Sequence, residues 1–309
     1  MAEIYDLVII GGGPAGLTAY LYAARARLKT LLIEKLSPGG QVLVTDFVEN
    51  YPGFPEGLPG WELMEKFVAH VKKLGFNQRL GEVVGLEVEE KGIKKIKLAG
   101  GEEIKARAVI IATGASPNKL GIPGEEKLTG KGVSYCATCD GPFFRDQIVA
   151  VVGGGNTAVQ EAIFLTKFAR KVFLIHRRDQ LRAQKILQER AFANPKIEFI
   201  WNTVVEEILG EDKVEALRLK NRKTGEASFL RVDGIFIFIG MRPQSEFVKG
   251  LLPTDERGFI ITDCEMRTEI PGIFAAGDVR AKACRQIITA AGDGATAAYM
   301  AEHYLSSGS

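Results

Sequence analysis

The chain has 309 residues, of which 46% are hydrophobic and 25% charged, and its formal net charge is +2. That length predicts two domains of roughly 150 residues each, with enough apolar content for real cores. The near balance of charge excludes the strong field that a nucleic acid or an anionic membrane would answer to, and no apolar run approaches the roughly 18 residues of a membrane span.

In chain order, the first element is a βαβ pattern, "DLVIIGGGPAGLTAYLYAARARLKTLLIEK", residues 6–35. Nothing before it has the charged-then-apolar layout of a secretory signal, so the expected location is the cytoplasm. Strand-like alternation at 82–89 and 93–98 predicts a small antiparallel insert. "AVIIATGASP", 108–117, reads as an apolar strand ending at Gly114, and "GIPGEEKLTGKG" after it reads as a linker. Next come "SYCATCDGPFF", 134–144, and a second βαβ pattern, "IVAVVGGGNTAVQEAIFLTKFARKVFLIHR", 148–177. A second insert near 205–232 precedes the buried-strand run "GIFIFIG" at 234–240. From about 248 the chain reads as a return to the first domain, through "TEIPGIFAAGDV" and an amphipathic helix within 284–305.

The two βαβ patterns superpose without a gap at an offset of 142, which carries Gly11 onto Gly153. Gly11, Gly13 and Gly16 fit G-x-G-x-x-G, while Gly153, Gly155 and Ala158 fit G-x-G-x-x-A. The first glycine permits the tight turn, the second lets backbone approach a pyrophosphate, and the third small residue lets helix pack on strand. Glycine is also in excess, at 35 of 309 residues, about 11% against roughly 7% on average. At the end of the second strand the copies differ. Copy one has Glu34, an acceptor for ribose hydroxyls; copy two has His176, Arg177 and Arg178, with Arg182 close behind, a set suited to a 2′-phosphate. Copy one therefore suits FAD or NAD, and copy two NADP.

The four cysteines are too few for a disulfide scaffold. Cys136 and Cys139 form C-x-x-C, which in a zinc site is half a tetrahedron and needs two more ligands. Cys264 and Cys284 are isolated, and His70, His176 and His303 lack ligand spacing. A static disulfide fits poorly with a reducing compartment. A dithiol in redox exchange fits better: a flavin can take hydride from nicotinamide and pass the electron pair to a disulfide, which then exchanges with a substrate. Such a pair needs a nearby proton donor and acceptor, and Asp140 is adjacent.

The whole chain resembles the low-molecular-weight bacterial thioredoxin reductases, flavin-dependent pyridine nucleotide-disulfide oxidoreductases. The matching motifs are "GGGPAG", "GGQ" at 39–41, "VENYPGFPEG" at 48–57, "ATGA" at 112–115, "CATCDG" at 136–141, "GGGNTA", "HRRDQLR" at 176–182, "AAGD" at 275–278 and "RQIITAAGDG" at 285–294. The resemblance implies an α/β fold of two Rossmann-like dinucleotide-binding domains of three-layer ββα type, one inserted into the other. The expected FAD domain is residues 1–117 with 248–309, and the expected NADPH domain, carrying the redox pair, is 118–247. It implies that Gly11, Gly13, Gly16, Glu34, Gly40, Gln41, Asn50, Thr113, Gly114, Gly277, Asp278, Arg285 and Gln286 line the FAD site, with Asp278 on the ribityl chain. Gly153, Gly155, Asn156 and Thr157 would hold NADPH, with His176, Arg177, Arg178 and Arg182 at its ribose phosphate. Cys136 and Cys139 would be the redox disulfide, with Cys139 nearer the flavin and Asp140 handling the proton. The expected partners are thioredoxin or a related small redoxin and a second copy of the chain.

Because the dithiol and the nicotinamide fold share a domain, the reading also expects that domain to turn between two states, on hinges near 121–125 and 241–245. Two rival readings keep the fold: a flavin dithiol oxidase that makes disulfides with oxygen, for which the basic cluster has no use, and a flavin-bound sensor without turnover. A reductase of an atypical redoxin, or one with another electron donor, is a closer alternative.

Overall fold

The computed structural model describes residues 3–45 and 47–307. The chain divides into two compact units, Met1–Ser116 with Arg242–Ser309, and Pro117–Met241.

The first unit begins with β1 (Ile4–Ile10), α1 (Pro14–Arg25) and β2 (Thr30–Glu34), the βαβ read from the sequence. It continues with α2 (Gly60–Lys72), β3 (Gln78–Leu80), β4 (Val83–Val88), β5 (Lys94–Leu98) and β6 (Glu103–Ile111). The strand order β3-β2-β1-β6 is parallel throughout. The first half of β6 pairs antiparallel with β5, which pairs with β4. Alternate β1 residues serve opposite layers. Leu7 and Ile9 pack with α1 and α2 residues such as Leu17 and Leu63, while Val8 and Ile10 pack with Leu86 and Ile96 of the antiparallel pair. A strand buried on both faces must be apolar without a break, which is why "LVII" carries no polar residue.

The chain leaves this unit along β7 (Ala115–Pro117) and enters the second, which contains β8 (Val133–Ser134), α3 (Ala137–Asp140), β9 (Ile148–Val152), α4 (Asn156–Leu165), β10 (Lys171–Ile175), α5 (Lys185–Phe192) and β11 (Ile197–Ile200). A three-stranded antiparallel sheet follows, β12 (Thr203–Leu209), β13 (Ala216–Asn221) and β14 (Ala227–Arg231), then β15 (Gly234–Ile237). The main sheet, β11-β10-β9-β15-β8, is parallel. The alternation repeats: Val149 and Val151 face the α4 layer, Ala150 and Val152 the antiparallel sheet.

The return runs through β16 (Met241–Pro243), which pairs with β7, then β17 (Ile273–Ala275) and α6 (Ile287–Ser306). β17 pairs with the second half of β6 and completes the seven-stranded sheet. The division falls at Met241/Arg242, earlier than the 247/248 expected. The physical reason is a backbone tie: the Gln244 amide already donates to the Gly114 carbonyl (2.9 Å), so the chain is home before 248. Among the described residues no helix is long and apolar enough to cross a membrane.

The segment read as a linker is packed. Leu128 is fully buried, and Glu125 is only 1% exposed. Its glycine and charge content misled the composition argument, because Glu125 is satisfied internally.

Candidate active site

The repeat seen in sequence is a repeat of hydrogen bonds. Gly11 N donates to Ile33 O, and Gly153 N to Ile175 O. Ala112 N donates to Ile10 O, and Phe238 N to Val152 O. Each glycine turn then caps its helix with a glycine, Gly13 before α1 and Gly155 before α4, both in extended backbone. A Cβ at either cap would meet nothing within 4 Å. These two glycines are therefore not required by φ or by packing inside the protein; they leave a cradle at a helix N-terminus, as a pyrophosphate needs. Gly11 has φ 105°, and Gly16 lies so close under the Gly11 carbonyl that a Cβ would overlap it. Those two set the turn itself.

Glu34 closes the first cradle. Its Oε2 accepts from Gly12 N (2.7 Å) and its Oε1 from Leu36 N (3.0 Å). A carboxylate has about four acceptor sites, so two remain for ribose hydroxyls. At the matching place in the second unit His176 is 4% exposed, and its ring packs against Gly154. Its Nε2 is buried without a hydrogen-bond partner among the described residues. Burial, then the charges of Arg182, Arg177 and Arg178, pull its pKa below the usual histidine value, so the ring is neutral near pH 7. Those three arginines are exposed. They form no ion pair among the described residues, whereas neighbouring Asp179 is taken by Lys223 (2.8 Å). Asn156 is exposed and its Oδ1 accepts from Gln184 N (2.8 Å); Thr157 is exposed beside it.

Other expected residues of the first unit meet across long stretches of chain. Asn50 donates to Gln286 Oε1 (3.0 Å), 236 positions away. Gln41 donates to Ser116 Oγ (3.3 Å), and Thr113 Oγ1 to Gln244 O (2.6 Å). Gly40 lies against Gly13, where a Cβ would come 3.2 Å from the Gly13 Cα. Gly114 and Gly277 both have positive φ, 72° and 77°. Asp278 Oδ1 is buried with no hydrogen-bond partner among the described residues. Burial pushes its pKa up, against the pull of Lys282 and Arg285. A buried carboxylate oxygen without a donor is costly unless a ligand hydroxyl supplies one, and this is the group that fits the first unit to a polyhydroxyl chain. Arg285 is turned inward instead. It donates to the carbonyls of Asp278 (3.5 Å), Lys282 (3.2 Å) and Arg280 (3.3 Å), and its guanidinium stacks 4.0 Å from the Phe259 ring centre.

Sequence reasoning passed over Asp293. Its carboxylate accepts from Gly277 N (3.0 Å) and Lys282 Nζ (2.8 Å) and pairs with Arg280 (3.1 Å), which pins the turn carrying Asp278. The signal was present in "AAGDG", but one chain does not reveal which acid of a motif faces the scaffold.

In the second unit Cys136 and Cys139 are joined in a disulfide, with Cα atoms 5.3 Å apart. Cys136 is the N-cap of the four-residue α3, and Asp140 closes it, its amide donating to Cys136 O (3.1 Å). Both cysteines and Asp140 are half-buried. An accessible disulfide on a short, locally held turn can exchange with an incoming thiolate. Cys264 and Cys284 are free and exposed.

The family described as pyridine nucleotide-disulphide oxidoreductase matches residues 5–294. The chain belongs to the thioredoxin reductase branch of that family. A thioredoxin reductase of Peptoclostridium litorale is 52% identical over 311 residues, covering 99% of this chain and 98% of the relative. That of Bacillus subtilis is 52% identical over 304 residues, covering 98% and 95%. Among solved structures, the thioredoxin reductase of Streptococcus pyogenes MGAS5005 matches with TM-score 0.94 at 52% identity, over 99% of this chain and all of that one. The Lactococcus lactis thioredoxin reductase, in an FR conformation, matches with TM-score 0.67 at 51% identity, over 98% and 99%. Thioredoxin reductases use FAD and NADPH, and this chain is an oxidoreductase of that class.

Proposed function

We propose that the chain reduces the disulfide of thioredoxin, or of a related small redoxin, at Cys136 and Cys139, with FAD held by the first unit and NADPH by the second. FAD, when bound, supplies a two-electron relay between nicotinamide hydride and a disulfide. The observation that carries the reading is the Cys136–Cys139 disulfide on the same unit as a dinucleotide cradle edged by three exposed arginines. Gly11, Gly13, Gly16 and Gly40 would admit the FAD pyrophosphate, Glu34 its adenosine ribose, and Asp278 its ribityl hydroxyls. Asn50 and Gln286, already bonded to each other, and Gln41, Thr113 and Gly114 would line the same site, with Arg285 holding the Asp278 turn. Gly153, Gly155, Asn156 and Thr157 would hold the NADPH pyrophosphate, and Arg177, Arg178 and Arg182 its 2′-phosphate beside neutral His176. When the disulfide opens, two sulfurs must be protonated or stabilised, and Asp140, next to Cys139 in sequence, would give and take that proton.

Placing the dithiol and the nicotinamide cradle on one unit supports a further part of the reading: the inserted unit turns, so that each serves the flavin in its own state. Pivots at Ser116/Pro117 and Met241/Arg242 follow from the unit division; the second meets the 241–245 hinge expected from sequence, while the first lies upstream of the expected 121–125, because that stretch is fastened inside the second unit. That one relative is described in a named FR conformation supports a family with more than one arrangement. A cytoplasmic homodimer completes the reading.

The test is an anaerobic titration of the yellow protein with NADPH, then NADH, followed by oxidised thioredoxin. Bleaching by NADPH and return of the flavin spectrum on adding thioredoxin support the assignment. No bleaching by NADPH overturns the donor; no return with thioredoxin overturns the acceptor.

A further inference from the structure

The residue before the first redox cysteine is tied to a carboxylate that no part of the reading above uses. Glu125 is 1% exposed. Its Oε1 accepts from the Tyr135 hydroxyl (2.8 Å) and from Leu120 N (2.9 Å), and its Oε2 from Gly121 N (2.7 Å). It forms no ion pair with a lysine or arginine among the described residues. For a buried carboxylate held by two amides and one phenol, each of the three donors matters. The Tyr135 phenol is held protonated: burial, then the hydrogen bond to Glu125, push its pKa well above the ordinary value.

The chain then has three fixings in four residues. Val133 and Ser134 form β8 and pair with Ile235 and Phe236 of β15. Tyr135 is tied to Glu125. Ser134, buried, brackets the cysteine itself, its Oγ accepting from Cys136 N (3.1 Å) and donating to Cys136 O (3.3 Å). After Cys136 the chain enters α3, only four residues long and too short to be stable by itself, which is held by the buried Ala137 and by the Asp140 amide on Cys136 O (3.1 Å). In the oxidised protein the S–S bond itself holds the turn. In the dithiol that bond is gone, and the upstream fixings carry a larger share of placing Cys136.

We propose that Glu125 and Tyr135 are a positioning pair for Cys136, holding its backbone in register once the disulfide opens so that its sulfur can meet a substrate disulfide in line. The pair touches neither sulfur; it acts through the strand that presents one of them. The proposal rests on the reading of Cys136 and Cys139 as the exchanging pair. Thiol–disulfide exchange is sensitive to the placement of the attacking sulfur, and a displacement near 1 Å costs a rate factor of up to about a hundred.

The experiment uses the FAD-loaded enzyme as wild type, Tyr135→Phe and Glu125→Gln. Tyr135→Phe removes one oxygen and keeps the ring. Its kcat/KM for oxidised thioredoxin is expected to fall about tenfold, while the stopped-flow rate of flavin reduction by NADPH stays at the wild-type value. Glu125→Gln turns an amino group toward an amide that donates, so its exchange falls at least as far. Wild-type exchange in Tyr135→Phe overturns the proposal. So does an equal fall in flavin reduction, which would mean general loosening. If wild type itself fails to reduce thioredoxin, the functional reading falls instead, and the two failures are told apart.

Discussion

The exposed arginines after β10 allow a clean measurement of cofactor choice. Take the double substitution Arg177→Ala, Arg178→Ala. Neither guanidinium forms an ion pair among the described residues, and both are exposed. Removing them therefore orphans no buried carboxylate and should leave folding unchanged. The whole loss appears in binding. A charge-assisted hydrogen bond is worth about 1.5–3 kcal/mol; exposure argues for the low end, so two such bonds give about 3 kcal/mol. At about 1.4 kcal/mol per tenfold, that is a factor of roughly 100 in kcat/KM for NADPH. NADH lacks the 2′-phosphate, and its kcat/KM should move by less than about threefold. The assay is steady-state reduction of thioredoxin with each nucleotide, and the informative quantity is the ratio of the two. A ratio that stays at the wild-type value, with both nucleotides weakened alike, would refute the assignment of these arginines to the 2′-phosphate.

Two further outcomes follow from the geometry. Gly16→Ala would drive a methyl into the Gly11 carbonyl, a backbone atom that can yield only by opening the turn; a loss of about 1–3 kcal/mol or more and of bound flavin is expected, read by thermal unfolding and by the flavin content of the purified protein, and an unchanged flavin content would sink the idea. Glu161 in α4 has a buried Oε2 without a partner among the described residues, and burial raises its pKa from 4.5. A raised carboxyl contributes no penalty below the unfolded value and loses stability as pH climbs through the folded one; Glu161→Gln should therefore match wild type below about pH 4.5 and be the more stable above it, and a gap that does not vary between pH 4 and 8 would contradict the sign.

Elements, repeat and insertion were legible because they follow local rules. Unbroken apolar runs mark strands buried on both faces, and the 142-residue offset marks the two cradles. The contrast between Glu34 and His176 was legible for the same reason, since each sits at a fixed distance from its own glycine turn. What stayed hidden depends on distant partners. Glu125 reads as one charge among several in "GIPGEEKL", and only the fold brings Leu120, Gly121 and Tyr135 to it. Arg285 reads as a residue free to reach a ligand, yet three carbonyls and Phe259 occupy it. The early return at Arg242 hinges on β7 meeting β16, a pairing between segments with no strong strand pattern of their own.

That pairing bears on how such a chain could arise and how it folds. Gln244 N bonds to Gly114 O on the host side, and Asn118 N to Gly240 O (both 2.9 Å) on the guest side. Each unit thus knots its own two ends together. To the host, the guest is entropically a loop whose mouth is already closed, and the cost of such a loop grows only logarithmically with its length. To the guest, its termini are neighbours, as in most domains that tolerate transplantation. A dinucleotide fold can therefore be copied, lengthened or exchanged at this seam without the surrounding sheet having to change.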